Sequence, residues 1–193
     1  MNIVDRLLAT FLWLLSICAV AGITHLTTIF ALPAYMGQDP LAEIAARAKT
    51  GEVILLPPPQ AGQPGLPFAD PAMVQAVCPF DLVDGGLRVH ADVAADRLLA
   101  LSFRTSSGRV FYSMSDLAAQ QGKMDVVVLT PAQLDTVEAD DDEDYPTQDL
   151  RLIAQDTKGF VVISALVAFP SERARAEERI KSVSCAVEPI AEE

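Results

Sequence analysis

The sequence predicts an α+β protein: an N-terminal transmembrane helix, then a small antiparallel sheet with helices packed on one face. Three observations carry this expectation. No Asp, Glu, Lys or Arg occurs between Leu7 and Gln38. From Asp96 onward, short runs of alternating apolar and polar residues are separated by turn residues, the pattern of half-buried strands. An amphipathic helix is readable from Ser171, with Ala176, Ile180, Val183 and Val187 as its apolar stripe. The chain has 193 residues, 51% of them hydrophobic and 21% charged, which is too apolar for a disordered protein.

The apolar stretch Leu7–Leu32 is longer than the 20 or so residues that cross a bilayer core. Pro33 is expected to end the helix, because its ring and missing N–H interrupt the ladder. Two readings stand. One is a signal-anchor, favoured because the apolar sequence continues well past Ala21. The other is a signal peptide cleaved after the A-x-A motif Ala19-Val20-Ala21, giving a secreted product. His25 reads as an interfacial residue near the outer end of the span rather than a proton-path residue. Thr24, Thr27 and Thr28 are able to bond their own helix carbonyls. Lys and Arg counts near the span do not favour export, but long domains translocate largely regardless of charge. The body is therefore placed in a bacterial periplasm, with the span in the inner membrane.

The expected organisation is an anchor at 1–34, a short helix and strand followed by a Pro-rich linker or wrapping loop at 35–71, an α+β periplasmic domain at 72–189, and a tail at 190–193. Asp39 is a fair N-cap, Pro40 suits the first helical position and Gly51 the C-terminal cap. Glu52–Leu56 is a candidate strand. Leu56–Pro71 holds six prolines, which favours extended polyproline II. No charged specificity residue flanks this stretch, so a spacer is a better reading than a ligand for a Pro-binding module. Arg97–Arg104 and Arg109–Met114 flank Thr105-Ser106-Ser107-Gly108. Leu150–Gln155 and Phe160–Phe169 flank Asp156-Thr157-Lys158-Gly159. Both loops end in Gly and read as hairpins in which Gly supplies a positive φ. Between them come a strand at Met124–Leu129 and a short helix at Pro131–Val137 capped by Thr130.

The balance of 14 Lys+Arg against 26 Asp+Glu, a formal net charge of -12, argues against nucleic acid as a partner, since phosphate binding needs clustered basic residues. Cys18 lies in the span and reads as an apolar filler. Cys78 and Cys185 are the two cysteines of the soluble part, and in an exported domain such a pair invites a disulfide. No G-x-G-x-x-G, P-loop, C-x-x-C or G-x-S-x-G motif is present, so no cofactor is expected. The catalytic candidates are His90 and Asp92, with Ser102, Ser113 or Ser115 as the attacking hydroxyl. A strand-surface histidine is the more ordinary reading. The metal candidates are the carboxylates of Glu138, Asp140, Asp141, Asp142, Glu143 and Asp144. Calcium favours dense oxygen donors, but this run lacks the alternate spacing and central Gly of an EF-hand loop. A run of like charges usually stays solvated.

Four segments, Leu66–Leu82 (LPFADPAMVQAVCPFDL), Gly108–Leu117 (GRVFYSMSDL), Val126–Leu134 (VVVLTPAQL) and Gly159–Val183 (GFVVISALVAFPSERARAEERIKSV), lead up to Cys185. Together they resemble the short single-span alphaproteobacterial proteins of the domain-of-unknown-function family numbered 1254. The resemblance covers most of Ala31–Pro189. It implies a bacterial exported or inner-membrane protein and carries no activity and no functional residues. Longer members join this domain to a second one, which implies a separately encoded partner for a chain of this length. The sequence-level expectation is thus a membrane-anchored, acidic envelope domain that binds another envelope protein, with Phe111-Tyr112 and the Pro-rich stretch as candidate surfaces. The alternatives are an enzyme subunit using His90 and Asp92, or an envelope protein responsive to divalent cations through Glu138–Asp144.

Overall fold

The computed structural model describes residues 2–35, 40–59, 70–93, 98–139 and 149–190. The chain divides into two compact units, Met1–Gln38 and Asp39–Glu193.

The first unit is helix α1, Ile3–Tyr35. Its segment Ile3–Leu32 has a mean hydropathy of 2.2 and buries nothing within the protein, so this helix is long and apolar enough to cross a membrane or to act as a signal sequence. Thr24, Thr27 and Thr28 each donate to the carbonyl four residues back, at 2.7–2.9 Å, so the polar end of the span is satisfied internally. The helix does not stop at Pro33 as expected but continues to Tyr35. In the last turn a proline removes only one ladder bond, which the remaining residues tolerate.

In the second unit, α2 (Pro40–Ala45) leads into the two-residue strand β1 (Ile54–Leu55). Then follow β2 (Met73–Asp81), β3 (Gly86–Asp92), β4 (Leu99–Thr105), β5 (Val110–Ser115) and β6 (Lys123–Leu129). Helix α3 (Pro131–Ala139), β7 (Leu150–Ile153), β8 (Lys158–Leu166), α4 (Arg173–Lys181) and β9 (Ser184–Glu188) complete it. The α+β class is as expected, but the strands divide into two sheets rather than one. A five-stranded antiparallel sheet has the order β1-β2-β8-β4-β5. A four-stranded mixed sheet has the order β7-β6-β3-β9.

Alternation along each strand makes one face of each sheet apolar. Ala76, Ile163 and Leu101 lie side by side across β2, β8 and β4. Leu87 and Val89 on β3 face Val128 and Val126 on β6. These residues belong to one buried cluster that draws on both sheets and on Ala176 and Ile180 of α4. The inner faces of the two sheets therefore share a core. Each large side chain in it contributes about 1.5–3 kcal/mol by leaving water.

The hairpin predicted around Thr105-Ser106-Ser107-Gly108 forms as β4–β5, with Gly108 at φ 85°. The second predicted hairpin does not form. β7 pairs parallel with β6, while β8 lies in the other sheet between β2 and β4. Gly159 accordingly serves no turn. It stands opposite Phe80 and Thr105 inside the five-stranded sheet, where a Cβ would overlap the Arg104 carbonyl and the Phe80 ring. Thr130 caps α3 as expected: its hydroxyl accepts from the Gln133 N–H at 3.3 Å, and the Gln133 side chain accepts from the Thr130 N–H at 2.9 Å, a reciprocal capping box. Helix α2 ends at Ala45, before the expected cap at Gly51. Val187 lies on β9, not on the last helix.

Pro79 sits inside β2, where a proline normally removes a ladder bond. Its carbonyl accepts from the Gly51 N–H on the β1 side. The missing N–H of Pro79 points the same way, beyond the end of the two-residue β1, so no ladder partner is lost.

Candidate functional site

The disulfide expected from the two soluble-part cysteines is present. Cys78 on β2 and Cys185 on β9 are joined with Cα atoms 6.7 Å apart, across 107 residues of sequence. Both are buried. The bond ties the five-stranded sheet to the four-stranded one, and with the apolar helix it points to a non-cytoplasmic location.

The other chemistry-bearing group lies on the outer face of the four-stranded sheet. Because Leu87, Val89 and Ala91 of β3 face the core, Arg88, His90 and Asp92 point away from it. Register then decides their neighbours. His90 stands opposite Asp125 on β6 and opposite Ser184 on β9. The His90 Nδ1 lies 2.6 Å from Asp125 Oδ1. A carboxylate only accepts, so the Nδ1–H donates. His90 Nε2 is 3.7 Å from Asp92 Oδ1. Arg88 reaches Glu188 of β9 at 2.9 Å and Asp149 beside β7 at 3.4 Å, linking β3 to both edges of the sheet.

His90 and Asp92 are thus neighbours, as the sequence expected, but Asp125 is the carboxylate that holds the ring. Only the β3–β6 register reveals Asp125. Its one sequence signal is that it alternates out of the apolar run Met124–Leu129, and Ser184 has no sequence signal at all. The expected serines are not brought to the histidine. Ser102 is on the outer face of the five-stranded sheet, with Ser113 opposite it and Ser115 beside Ala100, on the far side of the core from His90. No side-chain hydrogen bond joins Ser184 to His90 among the described residues. A groove of about 420 Å³ along α4 is lined by Glu172, Arg175, Glu178, Arg179 and Ser182 and includes none of these candidates.

An imidazole between two carboxylates, about one-third exposed, is arranged as a solvent-screened surface pair. Such pairs contribute about 0–1 kcal/mol. We expect a double-mutant cycle on His90→Ala and Asp125→Ala to return a coupling below about 1 kcal/mol, measured by denaturant unfolding. A coupling above about 3 kcal/mol would show a desolvated pair instead.

Among the described residues, no three His, Cys, Asp or Glu side chains converge to hold a metal ion. Of the acidic run, Glu138 is exposed at the end of α3. Asp140, Asp141, Asp142, Glu143 and Asp144 lie outside the described residues, as do residues 60–69 of the Pro-rich stretch.

No protein-family model matches the chain, and no curated protein matches it. Its fold is similar to the crystal structure of the VPA0106 protein from Vibrio parahaemolyticus, with a TM-score of 0.52 at 8% identity over 78% of this chain and 36% of that one. An uncharacterised protein from Burkholderia cenocepacia gives a TM-score of 0.42 at 14% identity, over 64% of this chain and 31% of that one. At this identity the Vibrio likeness is one of fold. The chain spans about a third of the length of these solved proteins.

Proposed function

We propose that the chain is a single-span protein of a bacterial inner membrane whose disulfide-clipped α+β unit stands in the periplasm and acts by binding another envelope protein. The observation that carries this reading is the Cys78–Cys185 bond in a chain that begins with an apolar helix of 33 residues. The pairing of cysteines into a buried clip is the habit of exported domains. The sequence resemblance to single-span envelope proteins supports the same compartment. The binding reading is preferred to an enzyme subunit because His90 has a carboxylate on either side and, among the described residues, no hydroxyl bonded to its ring, which leaves a general base without a nucleophile to activate.

The reading is tested in two arms. In intact spheroplasts, added protease should degrade the folded unit while cytoplasmic markers survive; protection of the unit would overturn the compartment. A photo-crosslinking residue placed at His90 or at the exposed Val83 should then trap one recurring envelope protein of different sequence. Adducts absent at both sites and at further surface positions would overturn the binding role.

A further inference from the structure

We propose that β5 is the contact strand of a symmetric dimer, pairing antiparallel with β5 of a second copy so that the five-stranded sheet runs on across two chains. This does not rest on the binding reading above.

A strand edge presents a row of N–H and C=O groups that another strand completes, and proteins usually blunt it with charges, prolines or a cover. The edges here differ in that respect. β1 has two residues and β7 four. The outer edge of β9 is approached by the Gly51 turn, where a Cβ would lie 3.6–3.8 Å from backbone atoms of Cys185, Ala186 and Val187. β5 has six residues, Val110–Ser115, with no charge and no proline. Among the described residues, its backbone bonds go to β4. The register shift at Phe103/Arg104 leaves Phe111 as the extra residue near the start of β5 and Tyr112–Ser115 in regular pairing.

The occupant follows from symmetry and charge. A two-fold axis perpendicular to the sheet sets residues of the same face opposite one another. Centred on Ser113, it places Tyr112 opposite the partner's Met114, and the reverse. Both side chains pack on the core from one side and are partly exposed on the other. Cross-strand aromatic–sulfur contact is favourable. The neutral strand is bounded by Arg109 and Asp116. Antiparallel pairing brings Arg109 within one residue of the partner's Asp116 at both ends. Among the described residues, the one side-chain bond of the Arg109 guanidinium is to the neutral Gln155 Oε1, at 2.8 Å. A neutral contact strand with opposite charges at its ends also keeps the -12 of each copy away from the seam.

The test uses the full chain in mild detergent, with Cys18→Ser to remove the free thiol. Ser113→Cys should form a disulfide-linked dimer on mild oxidation, because directly opposed residues of antiparallel strands lie within disulfide reach. Ser102→Cys, one strand inward, should stay monomeric. Light scattering should give a dimer for the parent and a monomer for Ser113→Lys at an unchanged melting temperature. A monomeric parent, a dimer that survives Ser113→Lys, or no cross-link through Cys at 113 would each overturn the proposal, including the case in which the edge receives a strand from another protein.

Discussion

Replacing Cys78 and Cys185 together by alanine is expected to lower the melting temperature of the folded unit by about 10 °C, for a loss of about 2–5 kcal/mol. The bond closes a loop across 107 residues, and loops of that size constrain the unfolded chain strongly; the chain-entropy estimate is about 4–5 kcal/mol. Position adds to this. Cys78 pairs with Val161 in one sheet and Cys185 with Val89 in the other, so the link spans the shared core instead of decorating a loop. Calorimetry is a suitable readout, because the chain's one tryptophan, Trp13, belongs to α1 and the second unit has none. A change within 2 °C or so would mean that packing alone holds the sheets together.

Gly159→Ala is expected to cost about 3 kcal/mol or more, at the upper end of overpacking effects. The added methyl would meet the Arg104 carbonyl, which is part of the β4–β8 ladder, and the Phe80 ring, which is itself buried. A flexible side chain would yield; a paired backbone does so only if the strands separate. Gly108→Ala is the internal comparison. There the backbone has φ +85°, and the nearest atom to an added Cβ is the Pro40 ring at 3.4 Å, so the cost is conformational strain of about 1–2 kcal/mol. Denaturant titration of the two variants should therefore rank Gly159→Ala below Gly108→Ala in stability. The reverse order would show that Gly159 is a turn glycine after all.

These two glycines also mark how far local sequence carries. Both end four-residue loops between apolar runs, and the hairpin pattern fits each equally well. At Gly108 the pairing is local and the expectation holds. At Gly159 the strand before the loop pairs with β6 in a different sheet, and no short-range signal encodes that choice. The same distinction explains the rest. The Thr130 cap, the Ala176 and Ile180 stripe, and the alternation of Leu99, Leu101 and Phe103 are legible because each is settled within a few residues. β2 escapes notice because its segment is nearly continuous in apolar residues and interrupted by Pro79, and β9 because it follows α4 with little alternation. The His90 group is half-legible: Asp92 is near in sequence, while Asp125 enters through register.

The proposed location requires Cys78 and Cys185 to be oxidised to each other in the cell. Acid-trapping intact cells, denaturing, and tagging thiols with a mass label reads this directly in the membrane fraction. The chain has three cysteines, of which Cys18 is free. One tag per chain before reduction and three after is the expected result. Three tags before reduction, on chain recovered from the soluble cytoplasm, would contradict it.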